Sequence, residues 1–176
     1  MRRRSIFPAA GAVALALALA LAMSLALGGC GFQLRQAPHF AFGTIVVQAA
    51  PASTIAQELR RDMQSSGQVQ VLSEAQLAKA DVILEIATEL RQKVVVGLNA
   101  SGQVREFTLR SRLHFKLRTP SGKELIPDTE LIQERDISFN ESAVLSKEQE
   151  ENLLYRDMQS DLVQQLMRRL AAVKTL

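Results

Sequence analysis

The chain has 176 residues, 21 of them basic and 18 acidic, with one cysteine, two histidines and no tryptophan. A single cysteine excludes an internal disulfide framework, and isolated histidines make a poor metal site, so no metal and no cofactor is expected. The formal charge of +3 rests on Arg2, Arg3 and Arg4, so the basic pI argues for no nucleic-acid partner.

Those arginines begin the first element. An almost unbroken apolar run follows from Ile6 to Leu27, then Gly28, Gly29 and Cys30. A basic start, an apolar middle and small residues at the end are the order of a secretory signal. Leu27 three residues before Cys30, with glycines between, resembles a bacterial lipobox. We read residues 1–29 as a cleaved signal peptide and Cys30 as the lipidation site, its thiol taking a diacylglycerol and its freed amino group an acyl chain. At roughly 20 apolar residues the run is also long enough to span a bilayer uncleaved; the three features in order favour lipidation. The expected mature chain then has 18 basic and 18 acidic residues. That is near neutral and of a size usual for one domain.

Residues 30–42 read as anchor and linker, with Phe40 and Phe42 beginning to pack, and residues 43–176 as one folded domain. Thr44 to Gln48 is β-branched and short, a strand ended before Pro51. Ser53 or Thr54 caps a helix whose Ile55, Leu59 and Met63 recur every four residues beside Ala56. Gly67 is its expected left-handed stop. Val69 to Leu72 is a second short strand, and Ser73 caps one or two helical turns.

A long hairpin forms the centre. Its first arm runs from Val82 to about Val96, with Val82, Leu84, Ile86 and Leu90 on one face and Glu85, Glu89, Arg91 and Lys93 on the other. The turn is Leu98 to Gly102. On the second arm Phe107, Leu109, Ser111, Leu113, Phe115 and Leu117 alternate with Glu106, Thr108, Arg110, Arg112, His114, Lys116 and Arg118, a half-buried strand. Centring the turn on Ala100 and Ser101 pairs Glu85 with Lys116 and Glu89 with Arg112.

Leu125 and Ile126 read as a brief strand that Pro127 interrupts. Glu130 to Phe139 is a further strand whose Glu130, Glu134 and Asp136 can face the basic side of the second arm. Residues 140–146 read as a loop, with Ser146 and Gln149 as a capping box. A last helix to about Val173 carries Leu154, Met158, Leu162, Leu166 and Leu170 as a stripe, widened by Tyr155, Val163 and Met167. The expected fold is α+β: a single mixed, mostly antiparallel sheet of about four strands, with two main helices on one face.

The sequence carries no phosphate loop, G-x-S-x-G turn or H-E-x-x-H motif. Glu85/Glu89 and Glu150/Glu151 read as solvated faces rather than acid–base pairs, and no enzyme is expected. Arg110, Arg112, Lys116 and Arg118 form the one surface feature above background. Charge balancing by nearby carboxylates explains it, and so does a face for an anionic partner, for which arginine forks suit phosphate.

Cys30-Gly31-Phe32-Gln33-Leu34-Arg35 resembles the start of the mature lipopolysaccharide-assembly lipoproteins of the LptE family. Leu145 to Glu151, and the helix ending Gln165 to Leu170, resemble the same family, as does the element order between them. The resemblance implies a lipid-anchored protein on the periplasmic side of the outer membrane. Gly31 after the cysteine, rather than aspartate, is consistent with that sorting. It implies a one-to-one partnership with the β-barrel LptD, which the lipoprotein plugs and helps assemble, and binding of lipopolysaccharide. Basic residues near the hairpin tip and at the start of the last helix are implied as lipopolysaccharide contacts. Lys147 matches the second; Arg105 is the basic residue nearest a tip that has none of its own. Lys147 also reads as an exposed helix-start lysine. The alternatives are a periplasm-facing chaperone carrying lipid in its own cavity and an anchored hydrolase.

Overall fold

The computed structural model describes residues 38–176. The signal segment, Cys30 and the motif through Arg35 lie outside the described residues. Three segments open the fold: β1 (Thr44–Gln48), helix α1 (Thr54–Ser66) and β2 (Gln70–Leu72). Ser53 caps α1, its hydroxyl accepting from the Ala56 N–H at 3.0 Å. Thr54 is therefore the first helical residue. Ile55, Ala56, Leu59 and Met63 are its buried face, the stripe expected from their spacing. Gly67 closes it at φ 65°, in the left-handed region where a side chain is strained. A 3₁₀ segment (Glu74–Lys79), capped by Ser73 and Gln76, leads into β3 (Val82–Leu98). Then come β4 (Val104–Arg118), β5 (Glu124–Ser138), a 3₁₀ turn (Glu141–Ala143) and helix α2 (Val144–Ala171).

The strands form one sheet in the order β2-β1-β3-β4-β5. β1 runs parallel to β2 and β3, whereas β3, β4 and β5 are antiparallel. The fold is thus the mixed α+β sheet expected, with five strands rather than about four. The β1–α1–β2 unit needs its helix because parallel neighbours cannot be joined by a tight turn.

One core lies between the sheet and the helices. Ile45 and Val47 of β1, Leu84 of β3 and Leu113, Phe115 and Leu117 of β4 meet Leu59 and Met63 of α1 and Leu162, Leu166 and Leu170 of α2. Phe40 and Phe42 pack into it as expected, with ring centroids 5.3 Å apart. A smaller cluster of Leu109, Ile137, Tyr155 and Met158 continues under the first half of α2. Among the described residues no helix is long and apolar enough to cross a membrane.

Three boundaries differ from expectation. β5 runs through Pro127 without a break. Its register slips between the pairs Phe115/Thr129 and Leu117/Ile126, so Pro127 lies at an irregularity. β5 is an edge strand, where a missing N–H costs no ladder bond. Helix α2 begins at Val144, so Ser146 lies inside its first turn rather than capping it. The cap is displaced because Asn140 accepts from the Ser142 N–H at 3.0 Å and starts a 3₁₀ turn that runs into the helix.

The third difference is the largest. The expected pair Glu85/Lys116 forms, but the ladder slips between Ile86 and Thr88, and Glu89 then faces Leu113 while Leu90 faces Arg112. Ala87 is the extra residue of a bulge. Beyond it the facing of β3 reverses with respect to odd and even numbers. Glu89, Arg91 and Lys93 turn to the helix side, and Leu90 is left 44% exposed on the outer face. The reason is what the helices present there. Ser53 and Thr54, at the N-terminus of α1, donate to the Glu89 carboxylate at 2.7 and 3.0 Å, where the helix dipole favours an anion. Arg91 donates to Gln159 of α2 at 2.8 Å, and Lys93 to Glu151 at 2.6 Å. The two helices show β3 polar groups at this point, and the bulge delivers polar partners to them.

At the other end of β3, Asp81 ties the start of the sheet together. Its carboxylate accepts from the N–H groups of Gly43 and Thr44, both at 2.9 Å. Burial works to raise its pKa, but these bonds and the Thr44 hydroxyl outweigh it and hold the carboxyl below its usual range. A carboxyl with a lowered folded pKa stabilises the fold above its unfolded pKa, near 3.9, and that contribution is lost as pH falls through the folded value. Asp81→Ala is expected to lower stability by about 1–2 kcal/mol at pH 7. Urea unfolding of both proteins should show the gap shrinking as pH falls below the unfolded pKa, near 3.9.

Candidate functional site

The outer face of the sheet carries charges in rows. Arg110 pairs with Glu134. Arg112 lies 3.6 Å from Glu130, which also lies 3.3 Å from His114. Lys116 and Arg118 both reach Glu85, at 2.8 and 2.5 Å. The Lys116 ammonium, followed by Arg118, holds the Glu85 carboxyl below its usual range against the opposing pull of burial. Each of the four basic residues singled out in the sequence therefore meets a carboxylate of β3 or β5. Pairs this exposed contribute about 0.2–1 kcal/mol each. The acidic run of β5 faces β4 as expected, Asp136 accepting from the Thr108 hydroxyl at 2.7 Å.

A different arrangement occupies the helix side, where the hairpin meets the start of α2. A cleft of about 280 Å³ opens there, its apolar lining including Phe107, Ile137, Phe139 and Val144. The Phe107 and Phe139 rings meet edge to face at 5.5 Å. Two ammonium groups flank this floor. Lys93 Nζ lies 4.3 Å from the centre of the Phe107 ring and is paired with Glu151. Lys147 Nζ donates to Ser138 Oγ at 3.0 Å and to Glu150 at 2.8 Å. Arg105 stands beside the cleft: its carbonyl accepts from the Phe139 N–H at 2.8 Å, and the residue is exposed. No carboxylate pairs with Arg105 among the described residues. Lys147 and Arg105, 42 positions apart in sequence, are brought to one end of the molecule because β5 returns alongside β4 and delivers the chain into α2. Cys30 lies outside the described residues.

Lys93, Phe107 and Phe139 were not expected at a site. Phe107 carried the signal of a core residue. Lys93 was assigned to the opposite face, because the bulge at Ala87 is invisible to a two-residue period. Glu148 and Glu151 also line the cleft and Glu150 pairs with Lys147, so an amphipathic anion seated there takes an ammonium group from its carboxylate and lays its apolar part on the rings.

A family model described as LptE, lipopolysaccharide-assembly, matches residues 42–170. This chain belongs to the LptE family. The match spans most of the chain and both walls of the cleft, and it places the protein in lipopolysaccharide assembly. Among solved structures, the LptE-family chain is similar to the uncharacterized lipoprotein B from Nitrosomonas europaea. The two are 33% identical with a TM-score of 0.70, over 81% of this chain and 91% of that one. Rare lipoprotein B from Shewanella oneidensis is 17% identical with a TM-score of 0.62, over 74% of this chain and 95% of that one. A minor lipoprotein from Acinetobacter baumannii is 16% identical with a TM-score of 0.59, over 76% and 93%. At those identities the last two share the fold alone. No curated protein matches the chain.

Proposed function

We propose that this protein is a lipoprotein held by acyl chains on Cys30 at the periplasmic side of the outer membrane. There it plugs and helps assemble an LptD-type β-barrel, one copy to one barrel, and contacts lipopolysaccharide as the lipid passes to the outer leaflet. Residues 1–29 are the cleaved signal, 30–42 the anchor and linker, and 43–176 the plug. The family supports work with the lipopolysaccharide-transport machinery, and the similarity to lipoprotein B from Nitrosomonas europaea supports the anchor. The role is assembly and transport, without catalysis.

The observation that carries the lipid contact is the cleft with its aromatic floor, with Lys147 at its edge and Arg105 beside it. Lipopolysaccharide joins phosphates to acyl chains, and the cleft offers partners for both. The outer face, with Arg110, Arg112, Lys116 and Arg118 each matched by a carboxylate, is the surface turned to a water-filled lumen. Charges of both signs suit a wet, polar contact better than a hydrophobic seam. A chaperone that encloses lipid is not favoured: grooves of the described domain, at about 470, 360, 320 and 280 Å³, are open and small for a lipid with several acyl chains.

Purification of the barrel from cells is expected to bring this chain with it at one to one; a barrel that arrives alone removes the plug. Reversing both site charges, Lys147→Asp with Arg105→Asp, is expected to weaken lipopolysaccharide binding about 100-fold, as the loss of two charge-assisted contacts requires. Unchanged binding by a folded double variant removes the site and leaves the plug intact.

A further inference from the structure

The strands β3, β4 and β5 outrun β1 and β2. β1 pairs with β3 only over Val82–Glu85. From Ile86 to Leu98, β3 has β4 on one side and, among the described residues, no strand on the other.

That free edge presents backbone groups. The Tyr155 hydroxyl donates to the Gln92 carbonyl at 2.8 Å, so Gln92 turns its backbone away from β4. The ladder is regular from Thr88 to Val95. In an antiparallel pair alternate residues face the same way, so Leu90 and Val94 also aim their N–H and C=O groups at the open side. Folded proteins blunt such edges with charges, prolines or a covering segment. Here Arg91 and Lys93 lie along the edge and Tyr155 takes the Gln92 carbonyl, but among the described residues no strand covers it, and Leu90, Val94, Val96 and Leu98 are 44, 41, 53 and 61% exposed.

The charges beside the edge are uneven. Lys93 is matched by Glu151. Arg91 is held by neutral groups, Gln159 at 2.8 Å and Thr54 at 3.4 Å, with its guanidinium 5.4 Å from the centre of the Tyr155 ring. No carboxylate pairs with it among the described residues. At the root of the edge a groove of about 470 Å³ lies between the chain leaving β1 and β3. Ala50, Ala52 and Ala87 line it, and such small side chains leave room for a backbone.

We propose that this edge takes an extended segment of a protein partner as an added strand. The segment carries apolar residues on the side of Leu90 and Val94 and an acidic residue against Arg91. Main-chain bonds supply the affinity of such an addition, and alternate side chains its selectivity. The inference is independent of the lipid contact at the cleft.

The test is hydrogen–deuterium exchange of the full chain in lipid nanodiscs, with and without a synthetic decapeptide of alternating valine and glutamate. Exchange is expected to slow at residues 88–96 when the peptide is added. Leu90→Pro removes an N–H that β4 does not need, and it is expected to abolish the protection. Arg91→Glu is expected to invert the preference, so that an alternating valine–lysine peptide binds about tenfold more tightly than the valine–glutamate one; this arm decides the matter if the proline variant does not fold. Protection elsewhere or none at millimolar peptide, protection that survives in folded Leu90→Pro, or an unchanged preference in Arg91→Glu overturns the proposal. So does an edge already protected without peptide, whether by a second copy as concentration rises or by the nanodisc lipids.

Discussion

Cys30→Ala is expected to abolish lipidation and with it the hold of the acyl chains. The variant should accumulate as an unlipidated precursor that keeps residues 1–29, because the thiol that carries the diacylglycerol is gone and cleavage follows lipidation. The size of the effect comes from hydrocarbon burial. Each buried methylene contributes about 0.8 kcal/mol, and two chains give stable anchoring where one is marginal and reversible. The retained run from Ile6 to Leu27 is long enough to hold the precursor in a bilayer, so the variant differs from the parent in its mass and its uncleaved signal. Membrane fractionation together with the mass of the intact chain checks it. A variant that is matured and membrane-bound like the parent disproves the lipobox. The test also separates anchor from plug, since the cleft and the sheet lie in residues 38–176 and do not contain Cys30.

Phe115→Ala is expected to cost about 3–5 kcal/mol, the range for truncating a fully buried aromatic residue. Phe115 has no exposed surface and is among the largest fully buried side chains. It lies on β4 opposite Ile86 and Thr129, inside the cluster that joins the sheet to both helices. The void cannot be refilled cheaply, because the β4 backbone is held by ladders on both sides. A domain of this size has only about 5–15 kcal/mol in total, so the variant should be marginal at 37 °C. A urea midpoint shifted at unchanged slope confirms the loss. A loss under about 1 kcal/mol would mean that Phe115 does not join the two layers.

The features legible in the sequence were those with a local cause. Phe107 to Leu117 alternate because a strand repeats every two residues, and the buried set of β4 is the one that alternation marks. Ile55, Leu59 and Met63, and Met158, Leu162, Leu166 and Leu170, are buried because helical neighbours recur at three and four residues. Ser53 and Gly67 end α1 through their own side chain and backbone. In each case the deciding interaction lies within a turn or a strand of the residue itself. The family resemblance rests on the same kind of local pattern, carried by residues 30–35, 145–151 and 165–170.

What only the tertiary structure decided is which way β3 faces beyond Ala87. Residues 82–98 do not say where an extra residue will be inserted. A bulge is chosen by the sum of contacts on both sides of the sheet, here Glu89 at the start of α1 and Arg91 and Lys93 against α2. That choice broke the expected Glu89–Arg112 pair and moved Lys93 beside Phe107 and the cleft. It also left Leu90 and Val94 on an open edge. The ladder of β4 and β5 likewise set Arg105 near Lys147, a neighbourhood that no sequence period contains. Sequence alone therefore determined the two helices and the long strand β4 with their buried faces. The cleft and the free edge were settled by long-range pairing, because each is made from strands and helices that meet only when the sheet closes on α2.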